Sequence, residues 1–523
     1  MIVVTGPEMA SLDRRTIEGL GVPSLSLMEN AGRAVFHTIE QELGPLHGRA
    51  IVILCGAGNN GGDGFVVGRF CHEAGAQVSF VLAADPQRFT EDAAYEWQQV
   101  DSLPVIAAYR PDEMPAATAA IAGADVLVDA LLGTGARPPL RSPYDALVAA
   151  MNDAPAPTVA VDLPSGLDAS RHDQRDQAAV ADLTVTFAFP KICLCQHPSR
   201  ALAGRIAVAD IGIPASLAAE LPHAPRLSDP ASVRAAWPSL APAQHKGEAG
   251  RLLVVAGSPG MAGAAAMACR AALRSGAGYV TLVAPEPVVA TVQGWVPEIV
   301  GLPTGDSGER PTSLDDAVAR ASAVLVGPGL PPQRAAEWLG LLLPRLTQPT
   351  LIDAGGLAAL ATHPDLWGRR GAAPLCLTPH PGEFAPLVGA SVAQVQSDRV
   401  AAARTFAAER DVHLILKGAL SLVVAPGGDL WINPTGHAGM ATAGCGDVLA
   451  GVAAGLLAQG RGPELALRAA AYWHGAAAQA WRRGVAERCL IASDLIEALP
   501  AALEAVCADR DSDGPSAITW LEF

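Results

Sequence analysis

At 523 residues, with 50% hydrophobic and 17% charged residues, the chain exceeds what one core ordinarily serves and has ample apolar surface to bury. Two domains are therefore expected, and disorder across most of the chain is excluded. The formal net charge of −16 argues against polyanionic partners, nucleic acid and anionic lipid alike, and favours a small-molecule partner.

The opening MIVVTGPEMASLDRR carries no basic segment leading a long apolar one, so a cytoplasmic location is expected. Nine cysteines occur without a CxxC pair, and Cys193 and Cys195 stand too close for an ordinary bridge, which predicts reduced thiols. Only three lysines occur, Lys191, Lys246 and Lys417, and only five asparagines. A chain this sparing is expected to keep both where arginine or another amide does not substitute.

In chain order, RAIVILCG (Arg49 to Gly56), AQVSFVL (Ala76 to Leu82), DVLVDALLG (Asp125 to Gly133) and TVAVDLPSG (Thr158 to Gly166) are apolar runs separated by helix-like stretches. Each leads into glycine, proline or aspartate signals that predict buried parallel strands feeding loops and helices, an α/β architecture. CGAGNNGGDGF (Cys55 to Phe65) follows the first run and holds Gly56, Gly58 and Gly61 in GxGxxG spacing, which suits close approach to a pyrophosphate at a helix start. A ligand-free tight turn explains that spacing too. The added Asn59, Asn60, Gly62 and Asp63 favour binding, because hydrogen-bonding side chains there need partners. Asp129, Asp162 and Ser165 stand at later strand ends. Singly each acid is a loop cap, but together they favour a site, and Asn60, Asp129 and Ser165 offer hard oxygens suited to a cation other than zinc.

From about Pro214 to Gly250 proline, alanine and mixed polar residues dominate, which predicts a domain boundary. Leu252 to Cys269 has membrane-spanning length but is broken by Gly257, Ser258, Pro259, Gly260 and Gly263, so a strand, a loop and a helix start are expected instead of a membrane span. Strand-then-loop signals resume with RLLVVAG, YVTLVAP, SAVLVGPG, PTLIDAGG, LCLTPHPGE, VHLILKGA and SLVVAPGG. GCGDVLAGVAAGLLAQG then sets Asp447 behind adjacent glycines at the start of an apolar helix. Backbone N–H groups exposed there form an anion hole, and Asp447 could take a proton from a hydroxyl. Capping explains the residue equally well on the helix alone. No Walker A sequence appears, which excludes a P-loop kinase. The residues after about Ala508 are expected to form a mobile terminus.

LMENAGRAV (Leu27 to Val35), GNNGGDGFVVGR (Gly58 to Arg69), DALLGTG, VDLPSGLDA, TVTFAFPK (Thr184 to Lys191) and DIGIP (Asp210 to Pro214) resemble NAD(P)H-hydrate epimerases over about the first 215 residues. The resemblance implies a Rossmann-like three-layer αβα sandwich. It implies contacts to hydrated NADH or NADPH from Asn59, Asn60, Gly61, Gly62 and Asp63, from Gly133, Thr134, Gly135, Ala136, Arg137, Pro138 and Pro139, and from Asp162. It also implies potassium held at Asn60, Asp129 and Ser165, and interconversion of the R and S epimers at nicotinamide C6. Asp162 or Lys191 could supply acid and base there, although Lys191 could equally bind phosphate or lay its stem on apolar surface.

HKGEAGRLLVVAGSPGMAGAAAMACRAALRSGAGYVTL, VGPGL, TPHPGEF, LKGALSLV and GMATAGCGDVLAG resemble, in this order and over about Gln244 to Pro500, ADP- or ATP-dependent NAD(P)H-hydrate dehydratases, whose fold is ribokinase-like α/β. The resemblance implies substrate contacts at Ala264, Gly329, His380 and Asp447, and nucleotide contacts at Lys417, Gly418, Ala419, Leu420, Ser421 and Gly446. It implies phosphorylation of the C6 hydroxyl and loss of phosphate, with Asp447 as base, magnesium accompanying the nucleotide, and ADP favoured over ATP. On spacing alone, His380 in its proline-rich turn is structural. The domains expected are 1–215 and 244–507, with a linker at 216–243, a tail at 508–523, and assembly into a homo-oligomer.

Three positions depart from the family pattern. Cys445 replaces threonine or a small residue, DAGGL (Asp353 to Leu357) lacks the second acid of DADAL, and Pro331 and Pro332 replace an expected glycine. Two other functions compete: a small-molecule kinase in the second half, and a non-catalytic binding module in the first, against which the intact Asn60, Asp129, Asp162 and Ser165 speak.

Overall fold

The structure, a computed structural model, describes residues 1–523 apart from 174–176, 240–241, 244, 306–309, 483–484, 509–516 and 522. Two compact units form, Met1–Ala224 together with the C-terminal strand, and Pro225–Arg510.

In the first unit β1 (Ala50–Cys55), β2 (Gln77–Leu82), β3 (Val105–Ala107), β4 (Val126–Ala130), β5 (Thr158–Val161), β6 (Leu183–Phe187) and β7 (Arg205–Ala209) pair in parallel in the order β7-β6-β5-β4-β1-β2-β3. The central strands are runs of valine, isoleucine and leucine buried along nearly their whole length, as parallel strands covered by helices on both faces must be. Three helices border the carboxyl-end face of this sheet: α1 (Gly6–Arg14), opened by a Thr5–Glu8 capping box, α2 (Ser24–Leu43) and α3 (Asn59–Glu73). The strand order reverses between β1 and β4, so the loops after these strands diverge and leave a crevice. The turn after β1 closes only with glycine. A Cβ on Gly56 would lie 1.9 Å from the Leu131 carbonyl oxygen, and one on Gly61 2.2 Å from that of Gly56.

Two expectations need correction. Instead of a mobile terminus, Ile518–Leu521 adds an antiparallel strand to β7, pairing Ile518 with Ala209 and Leu521 with Ile206, because β7 otherwise leaves an edge of unpaired backbone groups. Residues 509–516 and 522 of the expected tail lie outside the described residues. The described residues 216–239 are also built into the fold. The Ala215–Ala219 helix buries Ala218 in the first core, whereas Val233 and Ala236 are buried in the second. A few apolar residues spaced for burial suffice in a proline- and alanine-rich sequence. Residues 240, 241 and 244, at the expected linker end and domain start, lie outside the described residues.

The second unit contains β8 (Arg226–Leu227), β9 (Arg251–Val255), β10 (Tyr279–Pro285), β11 (Val300–Thr304), β12 (Ala323–Val326), β13 (Thr350–Ile352), β14 (Leu375–Leu377), β15 (Val412–Leu416), β16 (Leu422–Val424) and β17 (Leu430–Ile432). Their order is β11-β10-β9-β12-β13-β14-β15-β16-β17-β8. Pairing is parallel from β11 to β15, with the switch in strand order between β9 and β12. β16 runs antiparallel to both neighbours, because the short connections KGALS and APGGD leave no room for a crossover. The helix Cys445–Ala458 packs among Ala262–Arg274, Pro463–Trp481 and Ala492–Cys507. Every residue in it is buried except Gly446 and Asp447. Among the described residues no helix is long and apolar enough to cross a membrane.

Candidate active sites

A cavity of about 360 Å³ opens at the switch point of the first sheet. Asn59, Asn60 and Asp63 from α3, Gly133, Thr134, Gly135 and Ala136 after β4, Asp162 after β5 and Lys191 after β6 line it together. Gly61 and Gly62 pack into the protein beneath it, Gly62 against Met28, and Arg137, Pro138 and Pro139 continue beyond the lining.

Asp162 adopts φ +64°, a conformation strained for a residue with a Cβ and retained only when its surroundings enforce it. The enforcement is visible in its hydrogen bonds. Oδ1 accepts from Lys191 Nζ at 2.5 Å, Thr186 Oγ1 at 3.0 Å and Phe187 N at 3.2 Å. Lys191 is 0% exposed, and its Nζ also donates to Thr186 Oγ1 at 2.9 Å and to the Phe187 carbonyl at 3.0 Å.

Asp129 is fully buried. Its Oδ2 accepts from Ser165 N at 2.7 Å, and its Oδ1 from Ser165 Oγ at 2.6 Å and Leu131 N at 3.3 Å. Burial pushes Asp129 up to about 6, and the bonds from Ser165 and Leu131 hold it from going higher. Ser165 Oγ also meets Leu132 N at 2.9 Å, and the Asn60 Oδ1 lies 3.2 Å from where a Cβ on Gly133 would be. Asn60, Asp129 and Ser165 therefore converge on the loop after β4. The Asn60 Nδ2 is buried there with no hydrogen-bond partner among the described residues. This set of oxygens fits a hard monovalent cation.

The second site gathers at the carboxyl ends of β13, β14 and β15. Lys417 Nζ lies 3.1 Å from Asp353 Oδ1 and 3.6 Å from Glu383 Oε2, and 3.3 Å from the place a Cβ on Gly446 would occupy. Gly444 at φ +92° opens the helix that carries Gly446 and Asp447, so its first N–H groups face the lysine's side of the site. Burial disfavours the Lys417 charge, but Asp353, Glu383 and Asp447 outweigh it and raise its pKa above the ordinary value. Asp447 is pushed up to about 6, chiefly by burial, with Asp353 and Glu383 adding and Lys417 opposing. Among the described residues no three His, Cys, Asp or Glu side chains are grouped to hold a metal ion, so a divalent cation here would draw most of its ligands from nucleotide phosphates and water.

His380 caps the helix Pro381–Val388. Its Nδ1 accepts from Gly382 N at 3.0 Å and Glu383 N at 3.3 Å, while Glu383 Oε2 accepts from His380 N at 2.9 Å. The capping box holds Glu383 beside Lys417. Ala264 and Gly329 meet at the switch point, with the Ala264 Cβ 3.1 Å from where a Cβ on Gly329 would sit. The Lys417–Ser421 loop turns at Gly418 (φ +149°) and Leu420 (φ +57°), and Ser421 Oγ donates to the Gly418 carbonyl at 3.0 Å. Arg399, 3% exposed, clamps that loop by donating to the carbonyls of Leu416, Lys417 and Ala419 at 3.2, 3.2 and 3.1 Å. Burial pushes the Cys445 thiol up to about 11, so it stays protonated at neutral pH.

Two of the sequence departures prove to be one feature. A Cβ on Gly355 would lie 2.0 Å from the Leu330 carbonyl oxygen, directly before Pro331 and Pro332, which cap and begin the helix Pro332–Leu342. The proline-started loop occupies the space a side chain at 355 would need.

Four residues of these sites carry too little signal in the sequence to be identified from it. Glu383 and Asp353 lie inside the motifs above, and an acid next to a strand end is their only signal. Asp13 on α1 lines the first cavity, and Arg399 lies on the helix Arg399–Arg410. Both look like surface charges of amphipathic helices until the fold is known.

Two strand-end sites, one with a locked aspartate–lysine pair and one with an acid at a glycine-opened helix beside a lysine, define a two-site α/β enzyme for small molecules. Residues 252–501 match the family described as NAD(P)H-hydrate dehydratase, and residues 24–193 the one described as YjeF-related protein N-terminus. The bifunctional NAD(P)H-hydrate repair enzyme Nnr of Moorella thermoacetica is 40% identical over 96% of this chain and 96% of its own length. That of Salinibacter ruber is 41% identical over 98% and 97%. The ADP/ATP-dependent NAD(P)H-hydrate dehydratase of Bacillus subtilis, co-crystallised with ATP and Mg²⁺, is 32% identical, covers 54% of this chain and 98% of its own, and superposes with a TM-score of 0.48. The chain belongs to the bifunctional NAD(P)H-hydrate repair enzyme family.

Proposed function

We propose that residues 1–215 interconvert the R and S epimers of hydrated NADH and NADPH, and that residues 244–507 dehydrate the S epimer at the expense of ADP or ATP, with ADP preferred. The observation that carries the second activity is Lys417 held by Asp353 and Glu383 at Gly446, with Asp447 alongside. In this reading the nucleotide's phosphates lie against Lys417, the Lys417–Ser421 loop and Gly446, and the hydrated cofactor meets Ala264, Gly329, His380 and Asp447.

Asp447 takes the proton of the C6 hydroxyl as its oxygen attacks the terminal phosphoryl group, and the backbone N–H groups at Gly446 stabilise the transferring charge. The C6–O bond then breaks with its electron pair on phosphate, a proton leaves C5, and the C5=C6 double bond is restored. Hydroxide is a poor leaving group and phosphate a good one, so the nucleotide supplies the driving force. Magnesium would draw most of its ligands from nucleotide phosphates and water, with a carboxylate among Asp353, Glu383 and Asp447, and would neutralise phosphate charge.

In the first cavity Asn59 to Asp63, Gly133 to Pro139 and Asp162 bind the hydrated dinucleotide, Asp162 fixed by Lys191. Potassium at Asn60, Asp129 and Ser165 would balance the buried Asp129 charge. A cytoplasmic homo-oligomer completes the proposal, and the net charge of −16 supports the absence of a nucleic-acid partner.

The test is the return of dihydronicotinamide absorbance from an epimeric mixture of hydrated NADH with magnesium, potassium and either ADP or ATP. Complete recovery, faster than spontaneous epimerisation allows, is expected. No recovery with either nucleotide from folded protein would sink the dehydratase reading and leave a small-molecule kinase in its place.

A further inference from the structure

Asp13 enters the first cavity from α1, an element that none of the strand-end motifs includes. The other ionisable groups lining that cavity are Asp63 from α3, Asp92, Asp162 and Lys191. The carboxylates of this region differ in how they are held. Asp129 accepts from the fold on both oxygens, and Asp162 accepts three bonds on Oδ1. Among the described residues nothing donates to Asp13 or Asp63, although Asp63 is only 9% exposed. A buried carboxyl without a donor is costly unless it keeps its proton or serves a ligand. The buried Asn60 Nδ2 in the same lining has no hydrogen-bond partner among the described residues either.

Lys191 is poorly placed to trade protons. An ammonium has three N–H bonds, and all three have acceptors within the fold: Asp162, Thr186 and the Phe187 carbonyl. Asp162 is in turn pinned through Oδ1. Epimerisation by loss and return of the hydroxyl needs one group to give a proton and one to take it.

We propose that Asp13 and Asp63 are the acid and base of the first cavity, while Asp162, fixed by Lys191, orients the substrate; this rests on the epimerase reading. The C6–O bond breaks with its electron pair on oxygen, which takes a carboxyl proton and leaves as water, while the N1 lone pair forms N1=C6. Water then adds to the other face, the N1=C6 pair returns to nitrogen, and the added water's proton goes to a carboxylate. Atoms and charge balance, and only the configuration at C6 changes. Burial pushes Asp63 well above the usual carboxylate range, with Asp162, Asp13 and Glu96 adding and Lys191 opposing. Burial lifts Asp13 to about 6, with Lys191 opposing and Asp162 adding. Both shifts run toward the protonated form, so the two carboxyls are suited to hold a proton between them and pass it to and from the substrate.

The experiment uses the full chain, purified R epimer of hydrated NADH, magnesium and the active nucleotide, so that epimerisation limits the return of absorbance. Asp13→Asn is expected to lower kcat for the R epimer by roughly 100-fold or more with KM little changed, and to leave dehydration of the S epimer intact. The wild-type rate should rise with pH through about 6 and fall at higher pH; Asp13→Asn should lose the acid limb, and Asp13→Glu should recover part of the rate together with that limb. Asp13→Asn protein that dehydrates the S epimer normally and turns over the R epimer within threefold of wild type overturns the proposal, as does a loss confined to KM. If Asp13→Asn does not fold, Asp63→Asn is judged by the same kcat and KM criteria. Wild-type protein that dehydrates the S epimer and leaves the R epimer unconverted overturns the epimerase reading itself, a result distinct from failure of the Asp13 variants alone.

Discussion

Replacing Asp447 by asparagine should stop dehydration while making the second unit more stable. The sign follows from linkage. Asp447 has its pKa raised from the ordinary 3.8 to about 6, chiefly by burial, so the folded state binds its proton more tightly than the unfolded state does. Its ionisation therefore costs nothing below about pH 4, and stability is lost progressively as pH rises through about 6. At pH 7 the full difference applies, ~3 kcal/mol at roughly 1.4 kcal/mol per tenfold. Asparagine keeps the shape without the charge and escapes that cost, which for a unit this large corresponds to a rise of roughly 5 to 10 °C in melting temperature. Loss of the base should lower dehydration by roughly 100- to 10,000-fold, about 3 to 5 kcal/mol of barrier. The assays are thermal unfolding of the second unit at pH 7 and pH 4.5, and return of dihydronicotinamide absorbance from the S epimer. The stability gap should shrink at the lower pH, and wild-type dehydration should fall as pH drops below about 6. A variant less stable than wild type at pH 7, a gap indifferent to pH, or dehydration within tenfold of wild type would refute the reasoning. Loss of epimerisation as well, in folded protein, would contradict two independent sites.

Lys191→Met strands the buried Asp162 carboxylate, and should destabilise the first unit by about 3 to 5 kcal/mol in denaturant titrations and abolish epimerisation. Arg399→Met leaves the carbonyls of Leu416, Lys417 and Ala419 short of a donor, so the KM for nucleotide should rise at least several-fold while epimerisation of the R form is unchanged. Gly355→Asp forces a side chain onto the Leu330 carbonyl; dehydration should fall, and a variant with wild-type rate and melting temperature would show that the loop yields freely. Exchange of potassium for sodium should slow epimerisation and leave dehydration of the S epimer unaffected, an effect that Asp129→Asn should erase.

The buried strands were legible because valine, isoleucine and leucine in short runs leave few other folds open, and β1, β4, β5, β9 and β12 stand where those runs are. β3 and β11 were not: Val105 and Val300 are exposed at sheet edges, and their short segments carry no apolar signal. The glycine turn after β1 and the Asp447 helix were visible as local patterns. What joins them to their partners was not. Asp13 reaches its cavity only because α1 packs beside Asp162, and Leu330 meets Gly355 across a loop whose path no local pattern encodes.

The scarcity and placement of lysine have a practical consequence. Amine-reactive reagents attack the unprotonated, accessible form. Lys191 has no accessible surface, and Lys417, raised above its ordinary pKa among carboxylates, is kept as an ammonium. Lys246, exposed with its Nζ 5.0 Å from the Tyr279 ring centre, is left with the amino terminus as the handle for attachment to a bead or a dye. The enzyme is thus suited to immobilisation under mild conditions in which most proteins would be labelled at many points, and the lysines of both sites would come through untouched.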